Sequence, residues 1–413
     1  LEKRCAQILG KEFAGANLPV DETAGPVRLL GFVGLPSASR GRAHAQYPAG
    51  SPVAINGRLT VQGSNLVNEC GNVVQLRGMS ANSSAPICAN AAGLALLDND
   101  WKIDVIGMAM FDRVYWPGPD DLVGGYVTDP AGWKQWIDNM VDLAGQWGIY
   151  CMIDWHILYR GDPMFDINDA REFWEYMATT HSGKEHVIYE ICNEPNGIKP
   201  DGTPVDWPRV KQYADDIIPR IRQRDPASII IVGSPDWSTG VDAAADNPLQ
   251  YPNIMYAYHS YAGTHDINGS TTNKNKIEYA MGKGLAIFVT EWGMTNASGQ
   301  GGIYPAESQV WVDWMKLKKI SWVNWHWSDW HEGSAALGAT SENKRACELG
   351  NWNDLTASGQ WIKPRIASPD EFSCGGPPIP VISSSGTANG TVGQNFSYQI
   401  TASNNPTSYG ATG

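Results

Sequence analysis

Basic residues are scarce in this chain, and long apolar runs are absent. The 413 residues include 30 Lys and Arg against 43 Asp and Glu, a formal net charge of -13. Because phosphate contacts need clustered Lys and Arg, this balance argues against a nucleic-acid partner and against an anionic membrane surface. No stretch approaches the roughly 18 apolar residues of a membrane span. We therefore expect a soluble, secreted monomer whose substrate is neutral.

Charged residues are also missing from the C-terminal end of the chain, beyond Glu371. Residues 377–386 are rich in Pro, Ser and Gly, which is typical of a linker. Residues 395–401 then alternate between polar and apolar side chains as a strand does. We predict that residues 373–413 are a linker followed by a truncated immunoglobulin-like β segment, too short to bury a core of its own.

The N-terminal end lacks sustained periodicity. Residues 1–51 are rich in Ala, Gly, Arg and Pro, and we predict a leader or a disordered arm. Within it, residues 28–35 and the small residues near 43–45 resemble a shortened signal peptide and its cleavage site. This pattern agrees with an extracellular location.

The seven cysteines leave at least one thiol without a partner in the chain. Cys151 and Cys192 lie inside apolar runs, so they are predicted to be buried free thiols. Connectivity among the others cannot be deduced from sequence. Two candidate bridges for an oxidising compartment are Cys70 with Cys88 and Cys347 with Cys374.

Short apolar runs and longer amphipathic stretches take turns from residue 52 onward. The predicted strands are 74–78, 105–110, 149–154, 187–192, 229–233, 254–259, 285–290 and 322–326. The predicted helices between them include 133–147, 170–181, 207–224 and 305–319. Eight such repeats predict an α/β fold, a (β/α)8 TIM barrel at residues 52–372, with an N-terminal hairpin of residues 59–62 and 72–76. An open doubly wound sheet is the alternative, but no glycine-rich phosphate loop follows the first strand.

Two glutamates stand at the ends of predicted strands. Glu194 follows the run 187–192, and Glu291 follows the run 285–290. Carboxylates at the C-terminal ends of different barrel strands can face each other across one cleft. Glycoside hydrolysis needs such a pair, one acid to protonate the leaving oxygen and one carboxylate to attack or to activate water. A purely structural ion-pair role is the alternative for either residue alone.

A longer set of motifs extends this interpretation. The chain resembles glycoside hydrolase family 5, in its bacterial endoglucanase-like branch, from about residue 52 to residue 361. The stretches that carry the resemblance are VNECGNVVQLRGMS, GGYVTDP, IYCMIDWH, VIYEICNEPNG, YAYHSYAGTH, FVTEWGMTNASGQGG and WVNWHWSDWHEGSAAL. It implies a retaining endo-β-1,4-glucanase that acts on β-glucan polysaccharide, with no cofactor and no metal. A β-mannanase or mixed-linkage glucanase on the same scaffold stays open.

The resemblance also implies roles for individual residues. Glu194 corresponds to the catalytic acid/base and Glu291 to the nucleophile. The substrate-binding residues that it implies are His156, Asn193, Trp237, His259, Tyr261 and Trp325. Among these, Asn193 would bind the sugar 2-hydroxyl, and Tyr261 would donate to the Glu291 carboxylate. A structural role is nearly as well supported for the two histidines. The tryptophans on helical patterns, such as Trp174, are predicted to pack in the core.

The chain departs from the family pattern at three places. Gly107 stands where relatives carry an arginine near the nucleophile, and Arg113 is the nearby candidate to replace it. Residues 81–86 lack the aromatics that relatives have there, and Trp330 takes the place of a common lysine. The loss at Gly107 motivates a rival hypothesis, a carbohydrate-binding pseudoenzyme.

Overall fold

Eight parallel strands close into a barrel in this computed structural model. The structure describes residues 30–34, 47–83, 87–115, 122–158, 160–265, 267, 273–341, 344–369, 374 and 408–412. The barrel strands are β1 (Arg77–Asn82), β2 (Val105–Phe111), β3 (Tyr150–His156), β4 (Val187–Glu190), β5 (Ile229–Val232), β6 (Ile254–Tyr261), β7 (Ala286–Gly293) and β8 (Ser321–Asn324). β8 pairs with β1 and closes the ring. The predicted (β/α)8 barrel is confirmed.

The barrel strands are buried on both faces, as parallel strands covered by helices should be. In β5, all four residues of the run IIIV are buried. The lower interior is filled by a separate apolar cluster, which includes Tyr47, Val53, Leu59, Met152, Phe288 and Val323. Tyr47 also hydrogen-bonds to His186, with 3.0 Å between its hydroxyl and Nδ1. Tyr47 therefore packs on the barrel, although it lies within the range predicted to be a leader or arm.

Helices cover the outside of the barrel. The longer ones are Pro130–Trp147, Ile167–Thr180, Trp207–Arg224, Asn273–Gly282, Pro305–Lys318 and Ala357–Ile366, and shorter ones are Pro52–Asn56, Ala91–Leu96, Leu97–Trp101, Val241–Asp246 and Ala346–Leu349. Asp129 caps the first long helix by accepting from the Gly132 N–H, which satisfies a donor that the helix leaves unpaired. Trp174 is fully buried, so its predicted packing role is confirmed.

The predicted hairpin is only half correct. Thr60–Gln62 pairs with Asn65–Val67, not with residues 72–76. Gly63 adopts a φ of 58°, a left-handed conformation suited to a two-residue turn, so the chain reverses earlier than the apolar pattern indicated. Val73 contributes an isolated bridge to Val67. Two other short antiparallel pairs are Val114–Tyr115 with Leu122–Gly124 and Ala339–Ser341 with Lys344–Arg345.

Both predicted disulfide pairings are wrong. The structure joins Cys70 to Cys374 and Cys88 to Cys347, with sequence separations of 304 and 259 residues. The reason is barrel closure, because β8 lies beside β1 and brings the end of the domain next to its beginning. Cys151 and Cys192 are buried free thiols, as predicted.

The chain ends form a separate compact unit, made of residues 1–41 and 376–413. Within it, Leu30–Gly34 pairs antiparallel with Ser408–Thr412. The strand predicted at 395–401 lies outside the described residues. The division of the chain into leader, catalytic domain and linker therefore remains a prediction. None of the helices in the described part of the chain has the length and apolar character that a membrane crossing requires.

Candidate active site

The two predicted catalytic glutamates meet at the C-terminal face of the barrel. Glu194 lies in the segment that follows β4, and Glu291 lies on β7. One carboxylate oxygen of each residue and one ring nitrogen of His259 all lie within 4.8 Å of one another. Retaining glycosidases hold their two carboxyl groups about 5–5.5 Å apart, whereas inverting ones leave about 6.5–9.5 Å for a water. The spacing therefore fits direct attack by one carboxylate.

Backbone hydrogen bonds fix the segment that carries Glu194. The Asn193 N–H donates to the Trp155 carbonyl at 3.2 Å, and the Gly233 N–H donates to the Cys192 carbonyl at 3.0 Å. Gly233 must lack a side chain, because a Cβ there would lie 2.2 Å from the Cys192 carbonyl oxygen. The Glu194 side chain keeps 12% of its surface exposed, and its Oε1 lies 2.8 Å from His259 Nδ1.

Glu291 is more deeply enclosed than Glu194. The Tyr261 hydroxyl donates to Glu291 Oε1 at 2.6 Å. The Tyr261 ring lies against Gly293, where a Cβ would approach the ring to 2.5 Å, so glycine is required under it. Burial raises the pKa of Glu291 to about 7, although His259 and the Tyr261 hydrogen bond act to lower it. Below that pH, Glu291 holds a proton, whereas its predicted role as nucleophile requires a charged carboxylate.

His259 links the two glutamates. It is the Cα partner of Glu291 in the β6–β7 ladder, and its Nε2 lies 3.1 Å from Thr290 Oγ1. Burial alone would lower the pKa of His259, but the carboxylates of Glu291, Glu190 and Glu194 together raise that pKa well above its ordinary value. His259 therefore lies between the two glutamates with its pKa shifted toward the charged form, and its role toward substrate remains a prediction.

His156, Asn193 and Trp325 form one wall of the site. His156 Nε2 lies 3.3 Å from Asn193 Nδ2. The Trp325 ring stacks on the His156 ring, with 5.3 Å between centroids and 10° between planes. Burial lowers the pKa of His156 despite the nearby acids, which favours the neutral ring. Such a flat, partly polar wall suits a sugar ring.

Trp237 stands apart from these residues. It lies on a tight turn after β5, Pro235–Ser238, and 53% of its surface is exposed. The neighbouring Ser238 hydroxyl donates to the Asn193 carbonyl oxygen at 2.5 Å, which connects the turn to the segment of Glu194. Its predicted role in substrate binding remains a prediction.

Two buried acids beneath the glutamates were missed from the sequence. Asp154 and Glu190 are opposite each other in the β3–β4 ladder, and each has one buried carboxylate oxygen without a hydrogen-bond partner. Asp154 Oδ2 lies 2.7 Å from His156 Nδ1. Burial, followed by repulsion from Glu190, raises the pKa of Asp154 well above its ordinary value. The motifs IDWH and YEICNEP contained both acids, but alternation alone does not show which strand residues face inward.

Glu332 was also missed as a site residue. Its Oε1 accepts from Trp325 Nε1 at 3.2 Å and from the Ser334 hydroxyl at 2.6 Å. The same oxygen lies 2.6 Å from His326 Nε2. These contacts hold the Trp325 indole in its stacked position. The motif WVNWHWSDWHEGSAAL contains Glu332, but Glu332 follows Trp325 by seven residues in a loop, and no local pattern indicates that the two side chains meet.

The structure corrects the expectation for Arg113. Its guanidinium is bound by Asp166 through Nε at 2.6 Å and Nη2 at 2.7 Å. It is therefore committed to the rim of the barrel and not to Glu291. Gly107 lies inside the barrel on β2, where a Cβ would lie 3.2 Å from Met152 Cε. The end of the Met152 side chain therefore packs beside the glycine.

Two clusters of the described residues have the spacing of metal ligands. One is Glu194, His259 and Glu291, and the other is Cys88, Asp329 and Cys347. The two cysteines of the second cluster are joined in a disulfide, so they offer no thiolate. The first cluster contains the two predicted catalytic glutamates.

Comparison with known proteins identifies the family. The profile described as cellulase (glycosyl hydrolase family 5) matches residues 67–330. This chain belongs to glycosyl hydrolase family 5. The matched range includes β1 to β8 and both glutamates, so the resemblance inferred from the motifs is confirmed.

Curated relatives in the family are endoglucanases. One from Clostridium saccharobutylicum is 43% identical over 325 residues, covering 78% of this chain and 67% of the relative. Endoglucanase A of Evansella cellulosilytica is 40% identical over 301 residues, covering 72% of this chain and 57% of the relative. The chain thus spans between 57% and 67% of the length of these two relatives.

Solved structures of the family share the fold. A cellulase superimposes with a TM-score of 0.73 at 46% identity, covering 80% of this chain and 98% of that one. The catalytic domain of a Thermobifida fusca endoglucanase, solved in complex with cellotetraose, has a TM-score of 0.69 at 36% identity and covers 77% of this chain and 100% of that one.

Proposed function

We propose that this family 5 protein is an endo-β-1,4-glucanase, which hydrolyses internal β-1,4-glucosidic bonds with retention of configuration. The observation that carries the proposal is the contact geometry of Glu194 and Glu291, whose carboxylate oxygens lie within 4.8 Å. The endoglucanase names of the relatives support the choice of β-glucan as substrate.

In the first step, Glu194 donates its proton to the glycosidic oxygen while a Glu291 oxygen attacks the anomeric carbon. The bond from that carbon to the leaving oxygen breaks, the leaving sugar departs as an alcohol, and a glycosyl ester forms on Glu291. Glu291 must be ionised at this moment. The 2.6 Å hydrogen bond from Tyr261 and the positive charge on His259 favour the ionised form against the cost of burial.

In the second step, Glu194 is the base. It removes a proton from water, whose oxygen attacks the same carbon and releases Glu291, so two inversions give net retention. His259 Nδ1 lies 2.8 Å from Glu194 Oε1, so His259 can stabilise that carboxylate by a hydrogen bond when Glu194 is charged. No cofactor enters either step.

The remaining predicted residues would hold the glucan. Asn193 would donate to the 2-hydroxyl of the sugar before the scissile bond, a contact that strengthens as the ring flattens toward an oxocarbenium ion. His156 and Trp325 would support the same sugar through their stacked wall. Trp237, with its exposed ring, would stack on the leaving-group side.

The second candidate function is carbohydrate binding without turnover. Gly107 favours it, since β2 carries a glycine where the family resemblance implies an arginine, and the pKa of the Glu291 carboxyl is raised to about 7. Such a protein would bind cellooligosaccharide but release no reducing ends.

One assay separates these candidates. The chain is incubated with carboxymethyl cellulose, with mixed-linkage glucan and with mannan, while viscosity and reducing ends are followed. An endoglucanase lowers viscosity early, and Glu194→Gln and Glu291→Gln abolish the effect. Preferential cleavage of mannan would move the assignment to a β-mannanase, and cellooligosaccharide binding without cleavage would establish the pseudoenzyme.

We also infer an extracellular location and a monomeric state. The disulfides Cys70–Cys374 and Cys88–Cys347 support the first, because such bonds persist in oxidising compartments. The acidic balance, with a net charge of -13, supports solubility without association. Light scattering of the secreted protein tests the monomer, and a dimer mass would refute it.

A further inference from the structure

The turn that presents Trp237 has an unusual backbone. Asp236, Trp237 and Ser238 have positive φ angles of 60°, 53° and 58°. A left-handed conformation is uncommon for residues with a side chain, and for a bulky one such as tryptophan it is an outlier. Backbone strain of this kind persists where the surroundings enforce it, and it gathers at functional sites. Three strained residues in succession therefore indicate that this turn has a function.

The turn is held by its own hydrogen bonds. The Ser238 N–H donates to the Ser234 carbonyl at 3.0 Å, and the Gly240 N–H donates to the Pro235 carbonyl at 3.0 Å. The Thr239 hydroxyl donates to the Asp236 carbonyl at 2.8 Å. Because several bonds fix the same few residues, the direction of each side chain on the turn is determined by the backbone.

The backbone of the turn places two neighbouring side chains in opposite environments. Trp237 is 53% exposed, whereas Ser238 is fully buried. The Ser238 hydroxyl donates to the Asn193 carbonyl oxygen at 2.5 Å and accepts from the Ser234 N–H at 3.3 Å. The Asn193 carbonyl belongs to the peptide group that joins Asn193 to Glu194.

We infer that Ser238 is a positioning residue: its hydroxyl orients the Asn193–Glu194 peptide, so that Glu194 is aimed at the glycosidic oxygen of a glucan whose leaving portion rests on Trp237. The inference rests on the proposed function. The backbone hydrogen bonds to Trp155 and Gly233 hold the Cys192–Asn193 peptide, whereas the next peptide, Asn193–Glu194, lies beyond the end of β4 and receives the Ser238 hydroxyl. The strained turn thereby connects Trp237, which would contact the leaving portion of the glucan, to the peptide that carries the acid Glu194.

Proton donation by Glu194 gives this idea a specific signature. A sugar leaving group departs as a poor alkoxide unless its oxygen is protonated as the bond to the anomeric carbon breaks. A dinitrophenolate leaves without that proton. A misaimed acid therefore harms the first step for oligosaccharides and spares it for an aryl glycoside.

The experiment compares Ser238→Ala with the wild type on cellotetraose and on 2,4-dinitrophenyl β-cellobioside. We expect kcat/KM for cellotetraose to fall about tenfold or more, and kcat/KM for the aryl glycoside to change less than about twofold. With the aryl glycoside, kcat and KM should fall together, because Glu194 must also activate water to release the glycosyl ester.

Ser234→Ala is the matched control. It removes a buried hydroxyl of the same size from the same segment, and the Ser234 Oγ has no hydrogen-bond partner. We expect wild-type kinetics on both substrates. Ser238→Gly is the second variant, since it removes the hydroxyl and relieves the left-handed strain together. It should show the same dependence on the leaving group even if Ser238→Ala folds poorly.

Equal losses on both substrates, or no loss in either Ser238 variant, would overturn the inference. A wild-type protein that cleaves neither substrate would instead contradict the proposed function, and the two failures are thus distinguishable. Ser238→Thr keeps a hydroxyl but should not hydrolyse cellotetraose at the wild-type rate, because a β-branched residue is disfavoured at this positive φ.

Discussion

The surroundings of Glu194 and Glu291 differ in the way that their two proposed tasks require, with one exception. Glu194 lies on a loop, partly exposed and beside a protonatable histidine, where it can exchange a proton with substrate and water. Glu291 lies within a strand, more deeply buried, with a phenol donor at 2.6 Å. The exception is charge: burial raises the pKa of Glu291 to about 7, and β2, whose sequence is VIGMAMF, carries no cationic side chain. The comparison shows that rigid placement and correct ionisation are separate problems.

The largest effect should come from removing each acid in turn. Glu291→Gln should lose at least about 10³-fold in kcat/KM on every substrate, because no covalent ester can form. Glu194→Gln should lose as much on cellotetraose but much less on 2,4-dinitrophenyl β-cellobioside. Steady-state kinetics on both substrates check this, and azide should rescue the release step of the Glu194 variant. Identical substrate profiles for the two variants would erase the proposed division of roles.

Removing the Tyr261 hydroxyl should make Glu291 still harder to ionise and so increase its difference from Glu194. Tyr261→Phe deletes a hydrogen bond that lowers the pKa of Glu291, so that pKa rises further and the ionised form is rarer. We expect kcat/KM to fall about tenfold to a hundredfold at pH 6, and the acidic limb of the pH profile to move to higher pH. Tyr258→Phe is a control, because the buried Tyr258 hydroxyl has no hydrogen-bond partner. An unmoved limb would show that Tyr261 does not act through Glu291.

Adding a cation at position 107 should make Glu291 easier to ionise. In the free enzyme, kcat/KM should rise with pH through about 7, as Glu291 loses its proton. Gly107→Arg should move this limb to lower pH by about one unit, since a nearby positive charge favours the carboxylate. Gly107→Met adds comparable bulk without charge and should leave the limb in place. Equal shifts in both variants, or none, would show that charge at this position does not govern Glu291.

The smallest catalytic effect should come from the disulfide that joins residues near β1 and β8. Replacing Cys88 and Cys347 by alanine should lower the free energy of unfolding by about 2–5 kcal/mol. The pH profile of kcat/KM should not move, because the bridge does not touch either glutamate. Chemical denaturation and kinetics measure the two quantities, with Cys151→Ala as a control for a thiol outside any bridge. A displaced profile would mean that loop restraint, not the local groups, sets the ionisation of Glu291.

Much of the fold could be predicted because its signals are local. Runs such as 229–233 are apolar throughout, and the helix predicted at 207–224 has the same bounds in the structure. The disulfides could not be predicted, because they depend on the closure of β8 onto β1 and not on any local pattern. The second strand of the hairpin was misplaced for a smaller reason, since the chain turns at Gly63, before the more apolar segment.

The site divides in the same way. Glu194, Glu291, His259 and Tyr261 end strands or follow them, so the barrel topology alone brings them together. Asp154, Glu190 and Glu332 bind other residues of the site, and such contacts depend on which way each side chain faces. The Ser238 contact depends on three left-handed residues, which no propensity predicts for the sequence Asp-Trp-Ser.

The most direct test of the central claim is to trap the covalent intermediate. The protein is incubated with 2,4-dinitrophenyl 2-deoxy-2-fluoro-β-cellobioside, digested and mapped by mass spectrometry. The account predicts one fluorocellobiosyl group, attached to the peptide that contains Glu291, with loss of activity in proportion to labelling. A label on Glu194 or Glu190, or rapid turnover to a product of inverted configuration, would contradict it.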